Sequence, residues 1–149
     1  MSNKVPYKPE GYQSVIPYLH VNGAAKLIAF MKEVFDAQEI AIYPRPDGTV
    51  GHAALRIGDS VVELADVSPD WPVMPCALQV YVPDTDAAYQ RALKAGATSI
   101  IEPADQFYGD RTASVKDNCG NNWYIATQTL LISREEIDKR IAAMSQSKE

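Results

Sequence analysis

Apolar and polar residues alternate along "VIPYLHV" (15–21), setting Val15, Leu19 and Val21 on one face of a strand and Ile16, Tyr18 and His20 on the other. The period then changes. Ala24, Leu27, Ile28, Met31, Val34 and Phe35 recur by three and four, which predicts an amphipathic helix with Asn22 as its cap. A strand over 39–48 ends in a Pro/Asp/Gly turn. "HAALRI" (52–57) and "SVVELA" (60–65) flank Gly58-Asp59, the spacing of a two-residue hairpin. The first half therefore reads β-α-β-β-β.

The second half repeats that order. "PDWPVMP" (69–75) holds three prolines and reads as a linker without regular structure, in which Trp71 anchors the connection. "ALQVYV" (77–82) alternates, with Leu78, Val80 and Val82 opposite Ala77, Gln79 and Tyr81. A helix follows over 84–97, with Asp84 as cap and Gly96 as its stop. "SIIEP", "RTASVKD" and "NWYIATQ" supply three more strands, with the turn "DNCGN" (117–121) in the place of Gly58-Asp59. Two copies of one βαβββ unit, 12–67 and 76–129, are expected within a single domain over 1–149, because one such unit leaves a sheet face uncovered. Ser133 and Glu136 form a capping box for a third helix, 133–144, whose stripe of Ile137, Ile141 and Met144 would dock on the domain or on a second subunit.

The hairpin sets the question of chemistry. A turn at Gly58-Asp59 pairs Ala54 with Glu63, so His52, Ala54 and Arg56 share a face with Val61, Glu63 and Ala65. The opposite face, Leu55, Ile57, Val62 and Leu64, is wholly apolar. An isolated buried carboxylate is costly, so Glu63 is expected beside a cation. Two readings follow. In one, Glu63 and Arg56 make a structural ion pair with His52 at the rim. In the other, His52, Arg56 and Glu63 are the polar end of an aromatic-lined pocket. Arg111, in "GDRT", either faces the mouth of that pocket or pairs with Asp110.

Composition narrows the partners. The chain has 149 residues, is 46% hydrophobic and 22% charged, and carries a net charge of −5 without a basic stripe, so nucleic acid is not an expected partner. No apolar run approaches the roughly 20 residues that span a bilayer, and "MSNKVPYKPEGYQS" lacks the apolar core of a signal peptide. A cytoplasmic location without membrane attachment is the expectation. Cys76 and Cys119 have neither CxxC spacing nor a histidine partner pattern.

The stretches "VIPYLHVNGAAKLIAFMKEVFDA", "GHAALRIGDSVVELAD", "VYVPDTDAAYQRALKAGA" and "YGDRTASVKDNCGNNWYIAT" resemble the vicinal-oxygen-chelate superfamily of glyoxalase I, extradiol dioxygenases and bleomycin- and fosfomycin-resistance proteins, and within it a PhnB-like branch. The resemblance implies an α+β fold: two βαβββ modules forming curved mixed sheets around a cleft, plus the C-terminal helix. In metal-using members four strands each give one ligand. Those positions fall here on Ile16, Glu63, Ala77 and Tyr124, of which only Glu63 is a competent ligand, so no metal and no cofactor are expected. The same matching turns Tyr18, His20, Gln79, Tyr81 and Tyr124 into the cleft, and Trp123 into the core. The implied function is a metal-free, homodimeric binding protein taking a small molecule with a flat or ring portion. The alternative is a glyoxalase- or dioxygenase-like lyase or isomerase using Glu63 as metal ligand or general base.

Overall fold

The computed structural model describes residues 4–147. Its elements run β1 (Tyr18–Val21), α1 (Ala24–Phe35), β2 (Gln38–Pro44), β3 (Val50–Ile57), β4 (Ser60–Asp66), β5 (Ala77–Tyr81), α2 (Thr85–Lys94), β6 (Thr98–Asp105), β7 (Asp110–Lys116), β8 (Asn122–Gln128) and α3 (Arg134–Gln146). They make two four-stranded mixed sheets, ordered β1-β4-β3-β2 and β5-β8-β7-β6, in which β1 pairs parallel to β4 and β5 parallel to β8. The chain forms two compact units. One runs to Cys76 and takes in Asn118–Gly120; the other holds Ala77–Asp117 and Asn121 onward.

The first sheet keeps the register its hairpin dictates. Ile57 faces Ser60, Arg56 faces Val61 and Ala54 faces Glu63, with Gly58 at φ 57° turning the chain. Strand β1 starts later than its alternation suggests, at Tyr18. Pro17 has no N–H to give a ladder, and Val61 bonds instead to the Gln13 side-chain amide, which donates to its carbonyl at 2.7 Å and accepts from its N–H at 3.0 Å. Val15, expected beside Leu19 and Val21, is consequently 85% exposed. Leu19, Val21, Leu55 and Leu64 pack with Leu27, Met31 and Val34 of α1 as the core of this unit.

Asn22 does not cap α1. The helix begins after Gly23, at φ 109°, without any side-chain cap of its own. The orphan N–H groups of Gly23 and Ala24 are met by Asp66 Oδ1 from β4, both at 2.9 Å. In the second unit Asp84 caps α2 as expected, accepting from Ala87 N at 3.1 Å, and Gly96 closes the helix at φ 101°. Trp123 is fully buried there, its Nε1–H donating to Asp117 Oδ2 at 2.7 Å. Helix α3 is capped by Ser133, which accepts from Glu136 N at 3.1 Å. None of its described side chains is buried, so the Ile137/Ile141/Met144 stripe is not packed into the core of this chain; Arg140 ties α3 to the Phe107 carbonyl at 2.9 Å.

Candidate functional site

Each strand of the first sheet contributes to one polar row. Tyr43 on β2 lies opposite His52 on β3, and Tyr18 on β1 lies opposite Glu63 on β4. His52 Nε2 sits 3.0 Å from Glu63 Oε2, and the Tyr18 hydroxyl sits 3.0 Å from His52 Nδ1. A carboxylate only accepts, so His52 Nε2 is the donor toward Glu63, and where Nδ1 carries no proton it accepts from the Tyr18 hydroxyl. Burial, and next the charge of Glu63, push the Tyr18 phenol above its ordinary pKa, against the pull of Arg45. Tyr18 therefore stays protonated near neutrality.

Aromatic rings extend the row. Tyr18 lies 5.0 Å from the His20 ring and Tyr43 stacks on His52 at 6.2 Å. Trp71 stacks on His20 at 5.3 Å, 9° from parallel. The proline segment that carries Trp71 is not featureless: Ser68 bridges Trp71, and Met74 N donates to the His20 carbonyl at 3.1 Å, strapping the segment to the edge of β1. Beneath these rings opens a cleft of about 400 Å³ lined by Tyr18, His20, Arg45, Gly51, Ala65, Asp66 and Trp71. Apolar and aromatic walls with a few converging polar groups suit a small molecule.

Two of the expected partners are corrected. Arg56 does not pair with Glu63; its guanidinium donates to the Gly11 carbonyl at 3.0 Å and holds the N-terminal arm. The group beside Glu63 is His52. Arg111 does not pair with Asp110. It forks onto Asp86 of α2, at 2.8 Å from Nη2, and reaches Asp105 at 3.2 Å. Hydrogen bonds from Arg111 hold Asp86 below the ordinary carboxyl pKa, and those to Asp86 and Asp105 raise the guanidinium further. Asp110 instead accepts from the Tyr81 hydroxyl at 2.8 Å, the main reason the Tyr81 pKa is raised. Gln79 and Tyr124 are register partners on one face of the second sheet, both exposed.

The donor set does not fit a divalent ion at the four superfamily positions. Ile16 and Ala77 have no donor atom, and Glu63 is engaged by His52. Among the described residues no group of three or more His, Cys, Asp or Glu gathers to hold one. Four residues of the cleft escape the sequence pattern: Arg45, Gly51, Asp66 and Trp71. Asp66 left a signal, since it extends the helix-facing parity of Val62 and Leu64 with a charge.

The fold agrees with the relatives of the chain. The chain belongs to the Glyoxalase/Bleomycin resistance protein/Dioxygenase superfamily, whose family model matches residues 15–125. It is 39% identical over 140 residues to the uncharacterized protein Rv0887c of Mycobacterium tuberculosis, covering 87% of this chain and 81% of that one, and equally to the uncharacterized protein Mb0911c of Mycobacterium bovis, covering 90% of it. Its fold is similar to that of TioX from Micromonospora sp. ML1 (TM-score 0.66, 23% identity, 78% of this chain and 98% of that one). It is also similar to the fosfomycin resistance protein FosX from Mesorhizobium loti (TM-score 0.57, 19% identity, 79% and 92%). No helix among the described residues is long and apolar enough to cross a membrane.

Proposed function

We propose that this protein binds a small molecule with a flat ring, without a metal, in the cleft of its first sheet. The observation that supports it is the aromatic wall of Tyr18, His20 and Trp71 around a cleft of about 400 Å³. A cleft of that volume holds a compound of one or two rings. The test is thermal unfolding against a panel of aromatic compounds, read together with Trp71 emission. Trp123 is fully buried and supplies a constant background that a Trp71→Phe variant isolates. A ligand at 100-fold excess over its Kd raises stability by about 2.7 kcal/mol. A panel that moves neither signal defeats the proposal. So does near-stoichiometric nickel, zinc, manganese or iron in protein purified without chelator.

The Tyr18–His52–Glu63 row favours a second reading, in which the bound molecule is turned over by proton transfer. In that step the Tyr18 oxygen takes a carbon-bound proton of the ligand as its own proton passes to His52 Nδ1 and the His52 Nε2 proton to Glu63, and the reverse transfers return a solvent-derived proton to carbon. Binders incubated in heavy water would then exchange a carbon-bound proton, and Glu63→Gln would abolish that exchange while leaving binding intact. Binding with no exchange leaves the first reading.

A further inference from the structure

Arg45 lies between Pro44 and Pro46 at the end of β2, and its backbone N–H closes a turn onto the Thr49 carbonyl at 2.7 Å. Its guanidinium is gripped by neutral oxygens. Nη2 donates to the Asp66 carbonyl at 2.9 Å, and Nη1 donates to the Val67 carbonyl at 3.2 Å and to Thr49 Oγ1 at 3.3 Å. A guanidinium has five N–H groups; these three bonds leave two unspent. Arg45 takes part in none of the ion pairs of the described residues, whereas Arg111, Arg134 and Arg140 do.

The nearby carboxylates are turned elsewhere. Asp66 spends its oxygens on the N–H groups of Gly23, Ala24 and Val50, and Asp47 accepts from the N–H and hydroxyl of Thr49. The charge of Arg45 is thus held rigidly at the cleft without a carboxylate seated on it. Gly51 keeps that place open: a Cβ there would come within 3.2 Å of Arg45 Cγ and of the Tyr43 carbonyl. Elsewhere in the same lining, His20 Nδ1 is buried without a hydrogen-bond partner, although the Trp71 ring covers its imidazole. A buried polar atom with no partner in the protein is open to a hydrogen bond from a ligand or from water.

From these we infer that Arg45 is an anion anchor, and that the cleft takes a flat aromatic or conjugated carboxylic acid, its ring against Trp71 and its carboxylate on the guanidinium. The inference rests on the cleft being a ligand site, as proposed above. A guanidinium fork matches a carboxylate in two parallel hydrogen bonds, which a neutral amide reproduces only in part.

The experiment titrates ¹⁵N-labelled protein with trans-cinnamate and, separately, with its neutral isostere cinnamamide at pH 7. It follows the Trp71 indole N–H and the Arg45 Nε–H resonances. Cinnamate is expected to bind at least about 10-fold tighter than the amide, the worth of one charge-assisted pair. Arg45→Gln is expected to erase that preference while still binding the amide, which also shows that the variant is folded. Arg45→Lys, which keeps the charge but loses the fork, retains a reduced preference. Equal binding of acid and amide, or a preference that survives Arg45→Gln or is undiminished in Arg45→Lys, overturns the anchor and leaves the ring site standing. If neither compound moves Trp71, the ring site falls and the anchor with it.

Discussion

Asp66 in the first sheet and Thr127 in the second occupy matching places: Asp66 closes the β1–β4 pairing opposite Val21, Thr127 follows the last β5–β8 pair by one step, and each meets the start of the helix that crosses its sheet. Asp66 takes the N–H groups of Gly23, Ala24 and Val50, while Thr127 Oγ1 donates to the Val82 carbonyl and meets Thr85 Oγ1, both at 2.8 Å. The difference follows from the caps. Helix α2 carries its own, Asp84, so a hydroxyl suffices behind it. Helix α1 starts on a glycine and borrows its acceptor from a strand more than 40 residues away in sequence. A cap supplied locally is a local device; a borrowed one welds helix to sheet.

A second matched pair sets the cleft. Gly51 stands one residue before His52, and Arg111 one before Thr112, at equivalent points of β3 and β7. In the first sheet the missing side chain leaves room for Arg45 and the opening beside it. In the second, Arg111 occupies the place and binds Asp86 and Asp105. The same point of the repeated scaffold carries no side chain in one copy and an ion-paired arginine in the other.

The contrast in caps can be broken most sharply at Asp66. Asp66→Ala strands buried N–H donors at the helix start and on Val50, and urea denaturation should show a loss of about 3 kcal/mol. Burial works against ionisation of Asp66, yet the N–H groups of Ala24, Val50 and Gly23, with Arg45, hold its pKa below the ordinary 3.8. Its stabilisation is therefore complete above that value and disappears as pH falls through the lower folded-state value. Urea midpoints of wild type and Asp66→Asn should converge as the pH is taken down below 3.8; a constant gap contradicts the assignment. Next in size is Asp84→Ala, which removes an exposed cap and should cost about 1 kcal/mol, with the loss confined to amide protection in α2. A cost equal to that of Asp66→Ala would erase the distinction between the two caps. Smallest is Arg111→Ala. Exposed ion pairs add little, so the midpoint should scarcely move. The carboxyl ¹³C titration of Asp86 should rise back toward the ordinary range, and an unmoved titration would mean that Arg111 does not bind it.

Much of this was legible in the chain. Alternation in "HAALRI" and "SVVELA", with two turn residues between them, specifies Ala54 opposite Glu63, because a two-residue turn leaves a strand pair no other register. The same parity buries Trp123 and exposes Tyr124, and Asp84, Gly96 and Ser133 announce their helix ends by local chemistry. The two modules and the face of each strand therefore came from residues within a few positions of one another.

Which partner each charged side chain takes came from elsewhere. Arg56 was near enough to reach Glu63 on the sheet surface, yet the Gly11 carbonyl of the arm captures it, and His52 remains for Glu63. Arg111 meets Asp86 only because α2 returns over its sheet, and Trp71 meets His20 only because the proline segment runs back along β1. Periodicity acts through the backbone next door and is written residue by residue. A hydrogen bond or ring stack between distant segments depends on where the loops bring them, and that is decided when the chain closes on itself.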